Sequence, residues 1–202
     1  YLTTLTHSAT TLAYSQTIMS KIHQLETARL SLRQWQDRDL DGFAKMNTDE
    51  EVMRYFPSTL SRSQSKTAIE KYSTLIAKKG WGFWAAESRE NASFIGVVGL
   101  HYIDDLPIVN CVEVGWRLAR PYWGMGYATE AASRCLEFAF GELQLDEVVA
   151  ITSINNKKSR AVMERLGMLN SGNNFLHPRV SAESGIQEHV LYRITPEQFY
   201  HR

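Results

Sequence analysis

The chain has 202 residues, enough for one domain with a substantial core, and 44% hydrophobic with 22% charged residues is the ordinary mix of a soluble globular protein. Lys plus Arg and Asp plus Glu both number 22, so the zero net charge argues against a general affinity for nucleic acid or an anionic membrane. No run of about 18 apolar residues exists to cross a bilayer, and Cys111 and Cys135 lack any Cys-x-x-Cys or His-x-x-x-His spacing for a metal, so both read as small core residues of a cytoplasmic protein.

Residues 1–24 are rich in Thr and Ser near their start and are expected to form an N-terminal extension, with Met19 a candidate natural start and no secretory signal pattern. Leu12 to Ile22 would order as a helix only by packing on a neighbour. Residues 25–202 are expected to form a single domain. From Ala28, the alternation of Leu30 and Leu32, then Trp35, predicts a first strand. Asp37 or Asp39 then caps a helix carrying Leu40, Phe43 and Met46. A helical turn at Glu50–Arg54 is broken by Phe56-Pro57. Ser61 to Lys79 reads as a longer helix, with Ile69, Tyr72, Leu75 and Ile76 at helical spacing and Gly80 as its stop. Trp81–Ala86 and Phe94–Tyr102 form a hairpin around the polar turn Glu87–Ala92, and Gly96 and Gly99 interrupt its second strand as marks of a bulge. Asp104 to Pro107 turns the chain toward Cys111–Leu118, where Val112, Val114, Trp116 and Leu118 share one face at period two.

The next stretch, Arg120-Pro-Tyr-Trp-Gly-Met-Gly-Tyr-Ala-Thr-Glu-Ala-Ala132, sets two glycines between that strand and a helix whose apolar stripe is Ala128, Ala131, Ala132, Cys135, Leu136 and Ala139. The first amides of a helix lack intrahelical partners and sit at the positive end of its dipole, so such a turn is suited to bind phosphate. Gly124 and Gly126 would let a phosphate approach the main chain. No Lys-Ser/Thr follows the second glycine, so this is not a P-loop, and its late position and missing third glycine weaken a Rossmann reading. Glu147–Thr152 follows as a buried strand, parallel to its predecessor. A helix from Asn155 then turns Val162, Met163 and Leu166 inward and closes at Gly167. Strands near Leu169–Leu176 and Ile186–Ile194 complete the sheet.

Two motifs carry a resemblance. Trp123-Gly-Met-Gly-Tyr-Ala128 resembles the coenzyme A pyrophosphate loop of the GNAT N-acetyltransferase superfamily, Gln/Arg-x-x-Gly-x-Gly/Ala, with Trp123 where the pattern has Gln or Arg. The longer string from Tyr122 to Ala131 looks like the RimJ/RimL-type branch of protein N-terminal acetyltransferases, and Asn156 and Ser159 fall on the family's Asn-x-x-Ser helix motif. The resemblance covers about residues 28–194. It implies an α/β (α+β) fold: a mixed, mostly antiparallel sheet with a splayed parallel central pair and helices on both faces. It also implies acetyl-CoA as cofactor, held by Trp123, Gly124, Met125, Gly126, Tyr127, Ala128 and Thr129, by Trp116, Arg117 and Leu118 through main-chain contacts to pantetheine, and by Asn156 and Ser159. Early helices of such a fold wall the acceptor pocket.

The reaction so implied is direct acetyl transfer to a primary amine, either a protein N-terminal α-amine or a small-molecule amine. An ammonium must first lose a proton, and amine pKa values run from about 8 to about 10.4. Glu113, on the central strand opposite Val112 and Val114, is the candidate base, with His101 as the second. A main-chain N–H near Leu118 would face the oxyanion. The tyrosine acid of many relatives is replaced by Met163, which leaves Ser159 as a candidate acid or as a binding and capping hydroxyl. Lys157 and Lys158 either touch the coenzyme's phosphates or are solvated. Trp81, Trp84 and Trp116 read as core or pocket wall. The alternative function is a non-catalytic acyl-CoA-binding or sensing module. Oligomeric state stays open, a homodimer included.

Overall fold

A computed structural model describes residues 21–104, 106–108 and 111–201. Nine strands and six helices follow in the order β1 (Leu25–Glu26), β2 (Leu30–Arg33), α1 (Asp39–Thr48), α2 (Glu50–Met53), α3 (Arg62–Lys79), β3 (Phe83–Ser88), β4 (Phe94–Ile103), β5 (Cys111–Leu118), α4 (Tyr127–Gly141), β6 (Val148–Ser153), α5 (Lys157–Arg165), β7 (Leu169–Asn170), β8 (Phe175–Leu176), β9 (Glu188–Ile194) and α6 (Pro196–Tyr200). The sheet order is β1-β2-β3-β4-β5-β6-β9-β7, with β8 also on β9. Every pairing is antiparallel except β5 with β6, which meet at a single bridged pair, Glu113 with Val149. The mixed sheet with one parallel central pair is thus the expected fold.

Cross-strand rows show how the faces are used. Trp84, Val98 and Trp116 lie in one row, and Trp84 packs edge-on against Phe138 of α4 at 5.9 Å. Phe83, Gly99 and Gly115 lie in the adjacent row on the opposite face, where Phe83 meets Tyr72 of α3 at 5.5 Å. So α4 covers one face and α1 to α3 the other. The α4 stripe, including Ala131, Ala132, Cys135 and Leu136, is buried. Each fully buried Leu or Phe contributes about 1.5–3 kcal/mol by leaving water.

Local chemistry explains most boundaries. Ser61 caps α3 in a reciprocal box with Gln64, and Gly80 ends it at φ 82°. At α1 the expectation fails: Arg38 holds the cap position without a side-chain cap bond. Asp39 turns inward instead, toward the buried charge of Arg33 beneath it; Arg33 Nη1 and Nη2 reach its two oxygens at 2.8 Å. Glu87 completes the cluster by pairing with Arg33 and Arg38. The bulge falls at Ala86/Glu87, leaving Ile95 unpaired beside Gly96. Gly99 serves close approach, since a Cβ there would lie 2.0 Å from the Gly82 carbonyl oxygen. The short β1 has no periodic signal in the sequence. Of the segment Leu12–Ile22, Lys21 and Ile22 are not helical and residues 12–20 lie outside the described residues. Asp105, in the expected turn after β4, also lies outside them. Among the described residues no helix is long and apolar enough to cross a membrane, and no His/Cys/Asp/Glu group could hold a metal ion.

Candidate active site

The glycine turn lies at the C-terminal end of β5. A 3₁₀ turn at Arg120–Tyr122, with Pro121 in its first positions, leads into Gly124 and Gly126 at φ 75° and 80°. Left-handed backbone here requires glycine, and the space beside it is open: a Cβ at Gly124 would meet nothing within 4 Å, and one at Gly126 only Arg29 Nη2 at 3.5 Å. Gly126 is the N-cap of α4 and supplies no capping side chain. Among the described residues, no hydrogen bond engages the main-chain N–H groups of residues 124–129. Trp123 sits in the position of the family's Gln or Arg, and its indole Nε1 donates to Leu118 O at 2.8 Å, closing the turn onto the strand.

A clamp that the sequence did not disclose fixes this turn from outside. Arg29 Nη1 donates to Met125 O at 3.0 Å, its guanidinium lies 4.4 Å from the Tyr127 ring centroid, and its Nη2 pairs with Glu130 at 2.6 Å. Thr27 Oγ1 donates to the same carboxylate at 2.6 Å. Burial pushes the Glu130 carboxyl up, but the hydrogen bonds from Thr27 and Arg29 and the Arg29 charge outweigh it, so its pKa lies below the usual range.

Beyond the Glu113–Val149 bridge, β5 and β6 part. The Ala119 N–H donates to Ile95 O, which fixes the phase of the β4–β5 ladder. Main-chain groups alternate sides along a strand, so Trp116 and Leu118 turn theirs into the gap beside β6, whereas Arg117 turns its own to β4. The Glu113 side chain, half-buried, accepts from the main-chain N–H of Ile151 on β6. Desolvation raises its pKa to about 8, against smaller opposing effects of that amide and of Arg179. His101 is its cross-strand partner and stacks on Phe83 at 5.7 Å. On the other face, Trp116 Nε1 donates to Ser159 Oγ at 3.2 Å, and the Ser159 N–H is held by Asn156 Oδ1 at 3.2 Å. Glu113 and Ser159 therefore flank the gap from opposite faces. Met163 is buried, 1% exposed, and turns into the core.

The family described as "Acetyltransferase (GNAT) domain" matches residues 29–169. The chain belongs to this GNAT acetyltransferase family. It is 33% identical to the uncharacterized protein YkkB of Bacillus subtilis over 148 residues, covering 72% of this chain and 84% of YkkB. It is 29% identical to the FsC-acetyl coenzyme A-N(2)-transacetylase of Aspergillus fumigatus over 188 residues, 87% of this chain and 77% of that one. Among solved structures, a GNAT-family acetyltransferase from Bacillus anthracis superposes with a TM-score of 0.74 at 23% identity, covering 87% of this chain and 99% of that one.

GNAT acetyltransferases use acetyl-CoA, and this turn fits its pyrophosphate, because the amides are unpaired and the space a side chain would fill is empty. Lys158 stands 4.3 Å from the Trp123 ring centroid, at the edge of the turn, and both Lys157 and Lys158 are exposed. Arg117 sends its side chain to the α1–α3 face, among Phe43, Met53, Phe56 and Tyr72. Tyr55 ties α2 to the far side of the site by donating to Asn155 O at 3.1 Å.

Proposed function

We propose that the protein catalyses direct transfer of acetyl from acetyl-CoA to a primary amine, with no covalent enzyme intermediate. One juxtaposition carries this: amides without partners at residues 124–129, opening onto a seam that contains a carboxyl raised to about 8. When bound, the coenzyme supplies an acetyl group activated as a thioester. The amides of Gly124 to Thr129 would hold its pyrophosphate, and the main chain of Trp116 and Leu118 would hold its pantetheine arm. Glu113 takes the proton of the attacking ammonium, directly or through a water, and a pKa near that of the amine suits the task. The Leu118 N–H faces the oxyanion. Ser159 already accepts from Trp116, so its own proton is available to the departing thiolate. A thiol of pKa about 8.5 departs nearly unassisted, and this acid is a helper.

The acceptor is either a protein N-terminal α-amine, in keeping with the RimJ/RimL-like string Tyr122–Ala131, or a small amine. Incubation of the protein with acetyl-CoA and a panel of peptides and small amines, following free thiol release, tests the function. Release that depends on an amine is the expected result. A second reading, an acyl-CoA sensor without turnover, draws on buried Met163 where many relatives carry a tyrosine acid. Tight coenzyme binding with no thiol release across the whole panel would select it.

A further inference from the structure

Arg117 brings to the site a side chain that the transfer reaction does not use. Its Nε is buried without a hydrogen-bond partner, and among the described residues no carboxylate pairs with it. Its contacts are instead apolar or neutral. Nη1 lies 3.2 Å from Met53 Sδ, the guanidinium stands 5.5 Å from the Phe43 ring and 4.8 Å from the Phe56 ring, and the Tyr72 hydroxyl reaches it. Aromatic faces compensate a buried cation only in part, because an arginine stays charged and presents five donors in a planar fork. Burial lowers its pKa, the direction expected of a cation short of counter-charge.

Its place on the strand gives the unused donors a meaning. Glu113, Gly115 and Arg117 alternate onto the same face of β5, so Arg117 stands about 13 Å along the strand from Glu113, at about 3.3 Å per residue. Between them Gly115 has no side chain, and the Phe83 ring lies so close that a Cβ there would sit 3.0 Å from it. Phe83 thus packs against Gly115, and between the base and the guanidinium, whose Nε has no partner, this face of β5 carries no side chain of its own. Phe56, 40% exposed, lies over the guanidinium from the solvent side, where an incoming molecule would arrive.

We infer that the acceptor is an amine that also carries a carboxylate, and that Arg117 binds this carboxylate through its free donors while the amine lies toward Glu113. The inference rests on the transferase reading for its amine but not for its anion. Two sources share the chemistry: a free amino acid, and a peptide whose first residue is acidic. Bidentate guanidinium–carboxylate pairing in a partly dry site is strong and geometrically selective, and losing it leaves a buried donor set unmatched.

The test uses matched pairs that differ only in carboxylate against carboxamide: glutamate with glutamine, β-alanine with its amide, and an Asp-leading with an Asn-leading tetrapeptide. For at least one pair the native protein is expected to favour the acid by about tenfold or more in kcat/KM, and Arg117→Met to reduce that ratio to near one. Arg117→Lys, which keeps the charge but not the fork, should retain part of the preference. Calorimetric titration of the same pairs into the coenzyme-loaded protein reads the anion site without turnover. A dead enzyme that still binds the acid member tighter in an Arg117-dependent way removes the transferase function and keeps the inference. Equal binding and equal kcat/KM within every pair, or a preference that survives Arg117→Met in a folded protein, overturns it. Which pair responds tells the free amino acid from the peptide.

Discussion

Two buried guanidiniums lie on one cross-strand row of the sheet: Arg33 on β2 faces Ala85, Ala85 faces Val97, and Val97 faces Arg117 on β5. They have opposite surroundings. Arg33 is enclosed by Asp39 and Glu87, and the hydrogen bonds and charge of these carboxylates raise its pKa. Arg117 is left among aromatic rings and a thioether, and its pKa falls. The same contrast separates the amides of residues 124–129, which have no partners among the described residues, from the capped start of α3. The buried ion cluster around Arg33 and the cap of α3 are closed on themselves, while the turn amides and Arg117 Nε are left open among the described residues. Disturbing the first kind should lower stability, and disturbing the second should lower function with stability kept.

The largest effect expected on the open side is Gly126→Trp, whose side chain would cover the unpaired amides. Coenzyme binding by calorimetry should be lost, while the thermal transition moves only by the strain of a left-handed non-glycine residue, about 1–2 kcal/mol. On the closed side, Asp39→Ala strips Arg33 of its bidentate partner. Denaturant unfolding should record a loss of about 3–5 kcal/mol, and a loss near zero would erase the contrast between the two arginines. Third is Glu113→Gln, which should leave coenzyme affinity unchanged and depress kcat by about 100-fold or more.

The pH dependence sharpens the same point. Because the Glu113 pKa is raised to about 8, only its ionised minority works as a base at neutral pH. The native kcat/KM should rise about tenfold per pH unit below that value and level off above it, and this limb should vanish in Glu113→Gln. The sign for folding is opposite. An acid whose pKa is raised in the folded state stabilises fully below its unfolded value of 4.5 and loses that contribution as pH rises through about 8. Native protein should therefore lose stability over this window relative to Glu113→Gln, in melts taken across it. The smallest effect belongs to Arg117→Met: an unpaired buried charge replaced by an apolar chain should leave stability unchanged or slightly raised, against the large loss at Asp39.

How much of this was legible beforehand follows the same division. The turn at Gly124 and Gly126 could be read because its function lies in the main chain, and glycine, proline and helix periodicity all report main-chain conformation. The parallel contact of β5 with β6 was likewise implicit in an apolar strand between two helices. Glu113 could be set on a strand face, but its raised pKa comes from burial in the assembled sheet, against the opposing pull of the Ile151 amide, and local pattern brings neither near. Asp39 was misread as a cap because Asp at a helix start is the ordinary signal for one, and nothing nearby in sequence announces that Arg33 lies beneath it. Arg29 clasping a turn about a hundred residues later, and Arg117 left unpaired, are facts of tertiary assembly.

The seam between β5 and β6 has a mechanical side. In the sheet the described strands form two leaves, β1 to β5 and β6 to β9, joined by one bridged pair and spread beyond it, while one hydrophobic core packs across both. A pantetheine arm laid in the spread edge would act as the missing rung between the leaves. A coenzyme so bound would also brace the molecule, adding about 2.7 kcal/mol of resistance to unfolding at a concentration a hundredfold above its dissociation constant.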